Sequence, residues 1–266
     1  VYEGLCTDGR PDGQGRITYA AGGSYEGEWK DGAITGQGVA RYANGSVYEG
    51  GFRNALHHGK GVLTQADGYR YDGDWVDGPK EGKGRIAYPD GAVYEGDMLA
   101  NQRAGQGKLT MPDGLSYEGG WSAGQPQGEG RLVQPSGDVY EGHMANGKRE
   151  GQGIATYRNG DRYEGGFRND RRDGQGVLTG ADGSVHDGAW VQGRMEGAGR
   201  ITYPDGAVYE GALAADKPHG QGRITYADGS TYEGEWAEGE ITGQGVARYA
   251  NGLVYEGGFL NARNHG

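Results

Sequence analysis

The stretch YEGEWKDGAITGQGVARYANGSV, Tyr25 to Val47, recurs in close variants from one end of the chain to the other. With its tyrosine as position 1, copies begin at Tyr2, Tyr25, Tyr48, Tyr71, Tyr94, Tyr117, Tyr140, Tyr163, His186, Tyr209, Tyr232 and Tyr255, the last cut off at Gly266. No complete copy is longer or shorter than 23 residues. A short strict period means that each unit packs mainly on its neighbours, which predicts a repeat array instead of a globule. Residues 1–266 therefore read as one array. The chain begins inside one repeat and stops inside another, as a piece of a longer protein would.

Within the unit, positions 1 to 5 alternate aromatic, acid, glycine, variable residue, aromatic. Alternation places positions 1, 3 and 5 on one face of a strand and the acid on the other. Positions 14 to 18, such as Gly15-Arg16-Ile17-Thr18-Tyr19, alternate in the same way. Between them, positions 19 to 21 read Pro-Asp-Gly at Pro89, Pro112 and Pro204, and Asn-Gly or Asp-Gly in most other copies. A two-residue turn is the usual guess for such a dipeptide. A three-residue bend, a type I turn closed by a left-handed glycine, gives the better register.

That bend sets Ile17 against Tyr25 and Ile224 against Tyr232 on one face. On the other it sets Arg16 against Glu26, Arg85 against Glu95, Lys108 against Glu118, Arg131 against Glu141, Arg200 against Glu210 and Arg223 against Glu233. A shift by one residue would put Ile17 beside Glu26 and scramble both faces. The same register brings the glycine of position 14 opposite that of position 3, a bare-backbone trough on which rings can lie. Glycine is entropically costly in a strand, so its repetition implies a packing requirement. Positions 6 to 11, as in Lys30–Thr35, read as the connection to the next hairpin. The fold predicted is all-β, an elongated twisted single-sheet solenoid of consecutive antiparallel β-hairpins, longer than about 100 Å at ~4.8 Å per strand.

Composition agrees with a thin, ordered chain. It holds 59 glycines and 34% hydrophobic residues, with a mean hydropathy of −0.83. The 19 Tyr, 5 Trp and 3 Phe oppose disorder. A net charge of −11 argues against nucleic-acid partners and disfavours anionic membranes. The single cysteine, Cys6, excludes an intramolecular disulfide and favours a reducing, cytoplasmic compartment.

The YEGEW and GxG blocks at this fixed period resemble the MORN (membrane occupation and recognition nexus) repeat across the whole chain. The departures are His186 at position 1 and Leu5, Met98, Met144 and Leu213 at position 5, where looser packing is expected. The resemblance implies a stiff β-hairpin scaffold without catalysis, of the sort found at membrane junctions and cytoskeletal structures.

The GxG element lacks the following helix that a nucleotide fingerprint needs. His58, His219 and His265 share the position before GxG and read as turn-capping residues, too far apart along an array to share a metal. The acids at position 2 form a like-charged ladder, read as a solvated face in preference to a cation track. No catalytic, metal or cofactor site is expected. The aromatic face is the candidate site, because one sheet cannot cover both its own faces and an open apolar strip marks partner binding. Its groove would be lined by Tyr25, Trp29, Tyr48, Phe52, Tyr71, Trp75, Tyr94, Tyr117, Trp121, Tyr140, Tyr163, Phe167, Trp190, Tyr209, Tyr232 and Trp236. The expected occupant is a peptide or helix of a protein partner. Open strand edges would allow a homodimer or end-to-end filament. Two rival expectations are a phospholipid-tethering module and a glycan- or choline-binding module.

Overall fold

The computed structural model describes residues 1–265, which form strands and turns and no helix. They divide into two compact units, Val1–Pro135 and the residues from Ser136 onward. Within each unit every strand pairs antiparallel with the next in sequence. The first two repeats show the pattern: β1 (Tyr2–Thr7), β2 (Arg10–Thr18), β3 (Ser24–Lys30) and β4 (Ala33–Arg41).

The bend from β2 to β3 is the three-residue one expected. Tyr19 N–H donates to the carbonyl of Gly23 at 3.2 Å and Gly22 N–H to that of Tyr19 at 3.1 Å. Gly22, at φ 90°, takes the left-handed place, as do Gly45 and Gly68 in the next copies. Ile17 then faces Tyr25, Arg16 faces Glu26 and Gly15 faces Gly27. Of the charge pairs lying within one unit, Arg85–Glu95, Lys108–Glu118 and Arg200–Glu210 close to 2.9, 3.3 and 3.3 Å. All three are exposed and serve register more than stability.

Positions 6 to 11 correct the expectation of a connecting loop. Lys30 pairs with Ala33, so the strands run on to a two-residue turn at Asp31 and Gly32. Both turn residues have positive φ, 51° and 86°, the type I′ conformation whose twist matches that of the flanking strands. Each repeat is thus a hairpin closed by this tight turn, and the three-residue bend joins it to the next. Between Gly27 and Trp29 the register slips: Gly27 faces Gly38, but Trp29 faces Ile34. The extra residues on β4 bulge outward, and the Glu28 carboxylate accepts the exposed Gln37 N–H at 3.0 Å. Asp74 and Asp97 repeat this with Lys83 and Gln106. Neighbouring turn tips are also tied together. Gly32 N–H donates to the Pro11 carbonyl at 2.8 Å, Ala55 to Ile34 at 2.9 Å and Gly78 to His57 at 2.9 Å.

The core is a layer of rings laid on glycine. A Cβ on Gly38 would stand 2.5 Å from Cε2 of Tyr25, so only a bare backbone admits the ring. The Tyr25 hydroxyl donates to the Glu28 carbonyl at 3.0 Å, and Trp29 Nε1 reaches back to the Gly15 carbonyl at 3.1 Å. Trp75, Trp121, Trp190 and Trp236 make the same long-range bond. Rings meet edge to face, as Tyr25 does with Phe52 at 5.0 Å and Tyr48 with Trp75 at 5.3 Å. Each such contact adds about 0.5–1.5 kcal/mol beyond burial.

Among the departures from consensus, Leu5 is 65% exposed and His186 is half-buried where the position-1 tyrosines from Tyr25 to Tyr232 are fully buried. Met98, Met144 and Leu213 are buried like the aromatics they replace. In the copy starting at His186, Met195 is fully buried and its Cε lies 3.1 Å from where a Cβ would stand on Gly188 and on Gly199. An unbranched, polarizable side chain fills the ring's place.

Candidate interaction surface

The sixteen residues of the predicted groove lie on one face within each unit, and all are buried. Trp29 is the most exposed of them, at 8%. They form the floor of that face and leave little ring area for a partner to touch. Burial pushes the hydroxyls of Tyr25, Tyr94, Tyr163 and Tyr209 up to about 12, so they remain hydrogen-bond donors to their own backbone at physiological pH.

Two kinds of side chain cover the floor. The first, at position 10, pairs with position 5 and lies over the rings. His57 stacks on Tyr48 with centroids 3.6 Å apart and planes 12° from parallel. Its Nε2 lies 2.7 Å from the Tyr42 hydroxyl, and desolvation pushes its pKa down to about 4. The Lys80 ammonium sits 4.7 Å from the Tyr69 centroid and 5.2 Å from that of Tyr71. Arg103 lies 4.3 Å over Trp121, Arg149 5.4 Å over Phe167 and Arg172 4.2 Å over Trp190. Such cation–π contacts contribute about 0.5–2 kcal/mol each. Elsewhere the same position holds Pro11, Ile34, Pro126, Met195, Pro218 or Ile241.

In the sequence, position 10 falls within the apparent connection between hairpins, which hides its place on the ring face. The available signal was its fixed distance from position 5, with side chains long or apolar enough to lie on a ring.

The second kind of cover comes from position 18, two residues beyond the buried position 16 and on the same face. Tyr19 and Tyr42 in the first unit are 45% and 42% exposed; Tyr226 and Tyr249 in the second are 38% and 40%. Tyr69, at position 22, meets Tyr88 edge to face at 5.9 Å. These rings, rather than the sixteen beneath, are the reachable aromatic surface. In the second unit a shallow hollow is lined by Asp138, Tyr157, Arg158, Asp161, Arg172 and Leu178.

The opposite face carries the exposed position-2 acids, Glu26, Glu49 and Glu95 among them. His58 sits beside the next copy's turn, its Nδ1 3.4 Å from the Asp77 N–H and 3.4 Å from the Asp77 carboxylate. This is a capping position, and the Asp12 carboxylate occupies the equivalent one beside Asp31. Among the described residues no three His, Cys, Asp or Glu converge on a metal position, and no helix is long and apolar enough to cross a membrane. Cys6 is exposed.

No curated protein is significantly similar to the chain in sequence. Among solved structures, the Drosophila melanogaster SAS-4 TCP domain in complex with a proline-rich motif of Ana2 is 17% identical. That match covers 66% of this chain and 89% of the other at a TM-score of 0.36. The Danio rerio CPAP TCP10 domain in complex with a STIL peptide is also 17% identical, covering 96% of both chains at 0.33. Virginiamycin B lyase from Staphylococcus aureus is 12% identical, covering 97% of this chain and 88% of the other at 0.17. These scores are too low to carry a functional argument. The family comparison is of another order: the MORN repeat matches eleven consecutive times, at 2–24, 25–47, 48–68, 71–93, 94–116, 117–139, 140–162, 163–185, 186–208, 209–231 and 232–254. With its boundaries falling on the tyrosine period and its glycine-floored ring layer, the chain belongs to the MORN-repeat family, as a repeat scaffold.

Proposed function

We propose that this scaffold is non-enzymatic and holds a protein partner on its ring face, over the floor formed by the sixteen buried aromatics. The observation that carries the reading is the second tier of rings. Tyr19, Tyr42, Tyr226 and Tyr249 remain well exposed after the layer beneath them is fully packed. The fold does not need their exposed area, and rings standing on a rigid floor bind with little loss of side-chain freedom.

The test is selection of a peptide library on the wild-type chain, followed by binding to two variants. Tyr42→Asp with Tyr88→Asp alters the ring face; Glu49→Lys with Glu95→Lys alters the opposite face. Selected peptides should lose the first variant and keep the second. Equal binding to both variants refutes the reading. Tethering to phospholipid would appear as flotation with anionic vesicles at low salt, and glycan or choline binding as retention on the corresponding columns. Self-association through strand edges would appear as a concentration-dependent mass.

A further inference from the structure

We propose that Lys80 and Arg103, on the ring face of the first unit, select an acidic peptide segment whose two carboxylates stand three residues apart. This rests on the ring-face reading above and adds the partner's chemistry.

The first support is the way charge divides between the faces. On the polar face the basic side chains of these repeats meet acids: Lys60–Asp74 at 2.6 Å, Lys83–Asp97 at 2.6 Å, Arg85–Glu95 at 2.9 Å and Lys108–Glu118 at 3.3 Å. Lys80 and Arg103 are different. The Lys80 Nζ donates to the Tyr69 hydroxyl at 2.6 Å, and Arg103 Nη2 to the Gly124 carbonyl at 2.7 Å. Among the described residues neither makes a salt bridge with a carboxylate, although the chain carries a net charge of −11. Their neighbours on that face include the uncharged Tyr69, Tyr88, Met111 and Leu115. The turn acid Asp90 acts on the Tyr88 hydroxyl, as Arg103 does, but forms no ion pair with either cation. A half-buried cation that has rings beneath it and no ion-paired carboxylate is oriented and incompletely compensated, and a carboxylate from outside would complete it. A guanidinium stacked on an indole still presents its N–H edge for such a contact.

The second support is spacing. The two residues occupy the same position in successive repeats, two strands apart, which is about 10 Å. A polyproline-II segment laid across the strands rises ~3.1 Å per residue with three residues per turn, so side chains at i and i+3 share a side about 9 Å apart. A β-strand offers same-side spacings of about 7 or 13 Å, and neither fits. Tyr69 and Tyr88 lie where residues between the two acids would pack on aromatic faces.

The experiment is fluorescence anisotropy with labelled proline–alanine peptides on the full chain. The probes carry glutamates at i and i+3, glutamates at i and i+1, or glutamines at i and i+3. The i,i+3 glutamate peptide should bind at least about tenfold tighter than either other probe, with affinity falling as salt rises. Lys80→Met with Arg103→Met should erase that preference. The comparison of probes on the wild-type chain stands even if this variant folds poorly. Equal binding of the glutamine peptide overturns the inference, as does an unchanged preference in the double variant. So does binding to phosphatidylserine vesicles with no binding of any peptide probe. If library-selected neutral peptides still depend on Tyr42 and Tyr88, the ring-face reading survives that failure.

Discussion

Gly222 and Gly199 occupy the same position in adjacent repeats of the second unit, and alanine should affect them very differently. Gly222 faces Gly211 across the ladder, as Gly199 faces Gly188, and neither has a left-handed φ. What differs is the covering side chain. A Cβ on Gly222 would stand 2.5 Å from both Cε2 and Cζ of Tyr209. That ring is fully buried, bonds the Ala212 carbonyl at 2.6 Å and meets Trp236 at 5.2 Å. It has nowhere to go. Overpacking costs about 1–3 kcal/mol, a lost buried hydrogen bond about 1 kcal/mol and the ring contact about 0.5–1.5 kcal/mol. Gly222→Ala should therefore lose about 3–5 kcal/mol. At Gly199 the nearest atoms are Leu213 Cδ1 at 2.7 Å, the end of a flexible side chain, and the Asp187 carbonyl at 3.1 Å. The reduced freedom of the unfolded chain returns about 0.4–1 kcal/mol, so Gly199→Ala should change stability by about 1 kcal/mol or less. Because a long array need not unfold in one step, the measurement is residue-resolved amide hydrogen exchange in the strands Arg194–Thr202 and Lys217–Thr225. Equal losses at the two sites would refute the ring-on-glycine argument. Recovery of Gly222→Ala by Tyr209→Leu would support it.

Three further outcomes are expected. Ala123 opens a type I′ turn at φ 48°, so Ala123→Asn should raise local stability by about 0.5–1.5 kcal/mol in urea-dependent exchange. Trp75→Phe keeps a ring but loses the Nε1–Gly61 carbonyl bond at 3.1 Å, which should cost about 1–2 kcal/mol with its neighbours' fluorescence otherwise little changed. His57 gives a pH dependence. Its folded pKa is pushed down to about 4, against about 6.5 in an unfolded chain. Above pH 6.5 it is neutral in both states; as pH falls from there toward 4 only the unfolded chain takes up the proton, and stability is lost. The shift corresponds to at most about 3 kcal/mol, reduced by the attraction of the surrounding rings for a cation. An imidazole titrating near 6.5 by NMR, or the same acid sensitivity in His57→Gln, would contradict this.

Much of the architecture was legible in the chain itself, for reasons that lie in particular positions. The 23-residue period and the alternation around Tyr25 and Trp29 gave the strands. Pairing Arg16 with Glu26 and Ile17 with Tyr25 required the three-residue bend, because a loop one residue longer or shorter turns one face inside out. Glycine opposite glycine, at Gly15 and Gly27, told that rings would lie on bare backbone. These are local or nearest-neighbour facts, and a repeat carries them in every copy. The turn at Asp31-Gly32 was less visible: its dipeptide competes with the Asn-Gly and Asp-Gly of the other bend, and in other copies the turn reads Asn54-Ala55 or Ala215-Asp216.

Tertiary structure alone decided which rings are floor and which are surface. Whether Tyr25 or Tyr19 is reachable depends on what lies over it, and that cover comes from β-strand pairing with position 10, whose side chains vary from Pro11 to Arg103 while their place stays fixed. Met195 filling the space left by His186 is a decision of the same kind, since volume is shared among residues distant in sequence. Periodicity thus determined the ladder and its two faces; packing in three dimensions determined that Lys80 and Arg103 stand on the aromatic side with no ion-paired carboxylate among the described residues.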